Sequence, residues 1–218
     1  MTDVRKFNSQ SLGEEIANAV SHGIGTLLAI AATVVLIVRA SMYSTAIGIV
    51  SACLYGATMI ILYCFSTLYH SLTNKKAKKV FQIFDHCSIF LLILGTYIPI
   101  VLTMLGGAVG WTIFGIITAL TVLGIVFNSI DLVRWHKISV VLYILMGWTV
   151  VGFAPAVLKV IPKEGLKWLV GGGILYTVGV IFYVMKNKKY MHFIWHLFVL
   201  GGTILHYIFI FLYCYPVK

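Results

Sequence analysis

Charge is scarce in this chain. Asp, Glu, Lys and Arg make up 10% of its 218 residues, against roughly 25% in an ordinary soluble domain. That shortage excludes a conventional water-facing surface. Only six residues are acidic, and the formal net charge is +10. The four cysteines, Cys53, Cys64, Cys87 and Cys214, are scattered through apolar stretches without C-x-x-C spacing. They exclude a disulfide framework and read as small buried side chains. Gly171, Gly172 and Gly173, like Gly201 and Gly202, are followed by no P-loop lysine. Close helix packing explains them better than a phosphate cradle. Internal repeats, low-complexity tracts and a soluble domain are also missing. The first sixteen residues are mostly polar and the first apolar run is too long for a signal h-region, so insertion without cleavage is expected.

What the chain has is hydrocarbon. Hydrophobic residues reach 61% and mean hydropathy is +1.01. A bilayer-spanning helix takes about 20 mostly apolar residues, because its backbone polar groups must be satisfied within the segment. Charges and turn residues punctuate seven such stretches, at 17–38, 44–69, 80–103, 109–130, 138–158, 167–185 and 191–214. The expected fold is an all-α integral membrane protein, a single seven-transmembrane helix bundle over residues 1–218. The stretch "SLGE" predicts a capping box, with Ser11 as N-cap and Glu14 at N3, starting a helix near residue 12. Pro99 and Pro155 are expected to kink helices 3 and 5 and widen a central space.

Lys and Arg set the expected orientation. The N-terminal tail and the second, fourth and sixth loops carry eleven of them, the opposite side five. The positive-inside rule then puts the N-terminus in the cytoplasm and the C-terminus outside, in the plasma membrane. Anionic headgroups account for the +10 charge, and no nucleic acid is needed.

With this topology, polar groups from three helices fall near one membrane boundary. "MHFIWH" puts His192 and His196 in the first turns of helix 7; "STLYH" puts Ser66 and His70 at the end of helix 2; "FQIFDHC" brings Asp85 to the same level on helix 3. Residues four apart share a helical face. By itself the histidine pair also fits interfacial residues bonded to headgroups. Ionisable residues at membrane depth are costly and tend to face a cavity or a partner, so the group reads as a candidate metal site. Neutral imidazole suits zinc, and a catalytic zinc keeps three protein ligands and an open position. His70, His192 and His196 are the candidate ligands of a Zn²⁺ ion. Asp85 is either a further ligand or the base beside a zinc-activated water. Ser66 supports that water or a substrate carbonyl. Phe193 follows His192, so the glutamate of an H-E-x-x-H motif is absent.

Glu15, Asn18 and His22 lie at i, i+3 and i+7 in "EEIANAVSHG". They are candidates either for supporting a ligand histidine and admitting water, or for plain interhelical hydrogen bonds; His22 is not expected to bind zinc. His206 is too deep for the same ion and is expected to bond between helices. His86, about 100° around the helix from Asp85, and His136, in a loop, are not expected ligands.

"EEIANAVSHG", "STLYH", Asp85 and "HFIWH", in this order, resemble the haemolysin III branch of the progestin and adipoQ receptor family, which includes the adiponectin receptors. The resemblance covers nearly the whole chain. It implies seven spans with the N-terminus inside, and zinc held by His70, His192 and His196 with Asp85 and Ser66 around it. It also implies a link to membrane-lipid homeostasis and, in relatives, hydrolysis of ceramide or similar amides. The expected activity is zinc-dependent hydrolysis of a lipid amide or ester bond, with membrane lipids as partners and a fatty-acid product. Two other readings stay open: a lipid-state sensor or receptor with structural zinc, and a membrane-lytic haemolysin. High hydropathy disfavours a pore former that must first be soluble.

Overall fold

The computed structural model describes residues 10–185 and 188–215. Arg5, Lys6, Lys186 and Lys218, counted above for orientation, lie outside them. Every regular element among the described residues is helical: α1 (Leu12–Tyr43), α2 (Ala46–Ser71), α3 (Lys75–Pro99), α4 (Gly107–Gly152), α5 (Ala154–Val160), α6 (Lys163–Val184) and α7 (Met191–Phe209). Six stretches are long and apolar enough to cross a membrane. After Pro99, α3 runs into a π-helical turn over Ile100–Leu105, and α7 ends in another over Ile210–Cys214. Proline removes one amide donor, and here the chain changes helical pitch directly beyond it rather than breaking.

The expected capping box is present. Ser11 Oγ accepts from Glu14 N, and Glu14 Oε2 accepts from Ser11 N at 2.9 Å. Such caps contribute about 1 kcal/mol by satisfying amides that the first turn leaves open.

Helix α4 has 46 residues, which would extend about 70 Å if straight, more than twice the ~30 Å hydrocarbon core. It folds back instead. Asp131 has φ −157° and ψ 94°, and its Oδ1 accepts from Val133 N at 3.1 Å and Arg134 N at 3.0 Å. Asp131 is therefore the N-cap of a second arm. Across the fold, Ser139 Oγ donates to Asn128 Oδ1 at 2.6 Å, and Asn128 Nδ2 lies 3.5 Å from Tyr143 Oη. In an unbroken helix, positions 11 and 15 residues apart would be about 16 and 22 Å apart. The second arm thus begins at residue 132, earlier than the apolar stretch read at 138–158, and Phe153 separates it from α5.

Helix α1 packs on both α2 and α7, α2 on α3, and α6 on α7. Contacts between the second arm of α4 and α6 are sparse. An apolar cavity of about 250 Å³ lies behind that weak seam. Its walls include Val151, Leu158 and Val170, which are 57%, 59% and 43% exposed. It therefore opens sideways onto the apolar exterior of the bundle.

Polarity is arranged inside out. Leu27, Val34, Val126 and Ile181 point outward, while Asn18, Ser51, Ser66 and Asn128 are fully buried. Hydroxyls close the interior: Tyr63 Oη and Tyr176 Oη each lie 2.7 Å from Thr203 Oγ1. His206 Nε2 lies 2.9 Å from the Leu169 carbonyl, the expected interhelical bond. Glycine lets α6 and α7 approach closely. A Cβ on Gly172 would collide with the His206 ring, and one on Gly202 would come within 2.9 Å of the Tyr176 ring.

Gly172→Ala should therefore lower stability by about 1–3 kcal/mol, the usual range for overpacking. Gly173→Ala meets Trp148 only at 3.6 Å and should leave stability nearly unchanged. Thermal unfolding of the two variants in detergent checks the contrast.

Candidate metal centre

The first turns of α1 and α7, the last turn of α2 and the third turn of α3 meet at one end of the bundle. There the structure brings His70, His192 and His196 together, each with one ligand atom within 4.8 Å of the others. Ring centroids lie 5.2 Å apart for His70 and His192, 5.1 Å for His70 and His196, and 4.7 Å for His192 and His196. The last pair follows from helical spacing, since positions i and i+4 stack on one face. Bringing His70 to them needs tertiary structure, and α1, wedged between α2 and α7, provides it.

Two hydrogen bonds from α1 fix how these rings present their nitrogens. Glu15 Oε2 lies 2.8 Å from His70 Nδ1. A carboxylate only accepts, so Nδ1 carries the proton and Nε2 keeps its lone pair. The other Glu15 oxygen is held by Lys78 Nζ at 2.8 Å. Ser21 Oγ donates its one proton to the Asn18 carbonyl at 2.9 Å and also lies 3.2 Å from His196 Nδ1. It must therefore accept from Nδ1–H, which leaves the Nε2 lone pair of His196 available in turn. These tautomers are assigned from the hydrogen-bond network. Carboxylate and hydroxyl partners of this kind orient metal-binding imidazoles.

The residues fit a metal ion. His70 Nε2 is buried and has no hydrogen-bond partner among the described residues, an expensive state for a polar atom unless something takes its lone pair. Neutral imidazole is a preferred donor to zinc, at about 2.0–2.1 Å. Asp85, 8% exposed, belongs to no such ligand cluster among the described residues. It lines the apolar cavity together with Ser66, His22, His192 and His196. Ser66 is fully buried, with its hydroxyl next to the Asp85 carboxylate.

The remaining groups on α1 divide by contact. Asn18 Nδ2 reaches Gln10 Oε1 at 2.7 Å and approaches His70 Nδ1 at 3.5 Å. His22 stacks on His196 with centroids 3.6 Å apart and planes within 10°, and meets Tyr63 edge-on. It lies outside the three-histidine cluster. His86 is closer to Asp85 than the helical angle alone implies, with Nδ1 3.6 Å from Oδ2, and the same nitrogen lies 2.9 Å from the Gln82 carbonyl. His136 lies 3.4 Å from Tyr183 Oη, away from the cluster. Sequence reasoning missed Ser21. Its spacing from Asn18 put it on the right face, but nothing local points to a partner 175 residues away.

Comparison with known proteins gives a consistent result. A family model described as haemolysin-III related matches residues 10–207. Hemolysin-3 of Bacillus cereus is 42% identical over 99% of both chains. The Hemolysin-3 homolog of Bacillus subtilis (strain 168) is 42% identical over 95% of this chain and 97% of its own. More distantly, the human monocyte to macrophage differentiation factor is 27% identical, covering 76% of this chain and 71% of its own.

Ser21→Ala and Glu15→Ala each remove a proton acceptor for a histidine Nδ1–H while leaving the three imidazoles in place. Each is expected to weaken zinc binding about 10- to 100-fold, measured by competition with a chelator of known affinity. Ser21→Thr should retain most of it.

Proposed function

The chain belongs to the haemolysin-III-related family, and on that premise we propose that it is a zinc-dependent hydrolase of lipid amide or ester bonds. In this reading it crosses the plasma membrane seven times, the folded-back α4 supplying two crossings, with the N-terminus in the cytoplasm. One observation carries the proposal: His192 of the histidine cluster lines both a laterally open apolar cavity and a second cavity walled by lysines. A lipid bond is the kind of bond that lies at such a boundary, with a chain on one side and a headgroup on the other.

A bound Zn²⁺ supplies Lewis acidity toward a carbonyl and acidifies water. The chain's own residues do the rest. The apolar cavity takes the acyl chain from the side and keeps bulk water away from the reacting bond. Asp85, buried in the cavity wall, accepts the proton of the attacking water and returns it to the leaving group. The Ser66 hydroxyl, next to Asp85, donates to the scissile carbonyl or orients the water. Glu15 and Ser21 hold the tautomers of His70 and His196, so no proton competes for Nε2.

A set of three histidines suits this reading better than a structural staple, because structural zinc is almost always fully coordinated by four protein ligands. The contribution to membrane-lipid homeostasis follows from the activity. The lysis named in two relatives is then a consequence of altered lipid composition, since seven apolar spans leave no soluble precursor of a pore.

Asp85→Asn is expected to cut turnover about 10²- to 10⁴-fold while zinc content stays at the wild-type level. The assay is release of fatty acid from a panel of ceramides, acyl amides and lysolipids. Absence of turnover of every member by fully loaded wild type would remove the hydrolase reading.

A further inference from the structure

A second cavity, of about 450 Å³, shares His192 of the histidine cluster with the apolar one. Four lysines, Lys75, Lys78, Lys79 and Lys188, line it with two carboxylates, Glu14 and Glu15. Both carboxylates are already engaged. Glu14 accepts from Ser11 N at 2.9 Å, Ser11 Oγ at 2.8 Å and Tyr190 N at 2.8 Å. Glu15 holds His70 and Lys78. Lys75, Lys79 and Lys188 have no carboxylate partner among the described residues.

Helix α3 begins with Lys75, Lys76, Lys78 and Lys79, and its first turn contains no acidic residue. This is the unfavourable end for cations, because the helix dipole is positive there. Asn74 Oδ1 accepts from Lys76 N and Ala77 N at 3.0 and 3.1 Å, which caps two amides but adds no negative charge. A rule broken locally without a compensating partner points to a function. The positive-inside rule asks for lysines on this side of the membrane, but not for three of them around one concave space that reaches His192.

We propose that this vestibule binds a phosphate-type anion, and that the protein's lipid ligand carries that anion on its headgroup. The inference rests on the lipid-hydrolase reading and narrows it to anionic amphiphiles. Lys75, Lys79 and Lys188 hold the anion, while Lys78 stays fixed by Glu15 and by the Tyr69 ring, whose centroid is 5.3 Å from its Nζ. His192, in the wall of both cavities, marks the passage through which the chain continues into the apolar space.

The test uses full-length protein in an uncharged detergent and measures binding of lysophosphatidic acid and of monoacylglycerol with the same acyl chain. The phosphate-bearing probe is expected to bind about tenfold tighter or more, as charge-assisted hydrogen bonds imply, and the advantage should shrink with added salt. Lys75→Gln, Lys79→Gln and Lys188→Gln combined should abolish the difference, and the corresponding arginine triple variant should keep it. These side chains are exposed, and the arginine variant controls for folding. Competition by inorganic phosphate would mean that the site also takes the free anion; lack of competition would assign it to the lipid headgroup alone. Equal affinity for the two amphiphiles, or a preference that survives the glutamine variant, would overturn the proposal. Binding is read without turnover, so a failed hydrolase reading leaves the affinity ratio standing. A failed ratio leaves hydrolysis of neutral amides untouched.

Discussion

The hydrogen bond between Glu15 and His70 is the contact on which this end of the molecule depends. An imidazole buried at membrane depth must have its N–H satisfied and its lone pair used. The carboxylate does the first and thereby decides which nitrogen is left for the second. It also ties the start of α1 to the end of α2, as the Ser21–His196 contact ties α1 to α7. Helix α1 contributes no ligand, yet it sets the spacing and the protonation of two of the three histidines. Lys78 on α3 completes the arrangement by holding the second Glu15 oxygen, so one carboxylate links three helices.

Around that polar ring the bundle separates two environments. On one side the interior is apolar and opens through the thin seam between the second arm of α4 and α6. The cavity that shares His192 with it is lined by four lysines. Such a division suits an amphiphile whose reactive bond lies between its chain and its head, and Asp85 and Ser66 line its apolar part.

Much of this was legible in the sequence, for identifiable reasons. His192 and His196 share a face by helical periodicity alone, and the Ser11 capping box is a local pattern, so both could be read without tertiary structure. Charge counting put His70 and Asp85 near the same boundary, and the structure brings His70 into the cluster while Asp85 stands outside it. Glu15 and Asn18 are legible as candidates for supporting a histidine or for plain interhelical bonds; Glu15 lies 2.8 Å from His70 Nδ1, while the Asn18 amide bonds Gln10. Ser21 was invisible because its partner is far away in the chain. Asp131 was passed over because "SIDLVRWH" reads as a polar break between apolar runs, whereas an aspartate accepting from the second and third amides beyond it starts a helix. His86 shows the limit of angular arguments: a 100° offset on the helix still left its ring beside Asp85.

In the proposed centre, "MHFIWH" supplies two of three imidazoles to one metal ion. Elemental analysis of detergent-purified wild type beside the His192→Ala/His196→Ala double variant tests it most directly. About one zinc per chain in the wild type, lost in a double variant that elutes as the same folded species, is the result the account requires. Equal zinc in both proteins, or none in either, would contradict it and make those histidines packing residues.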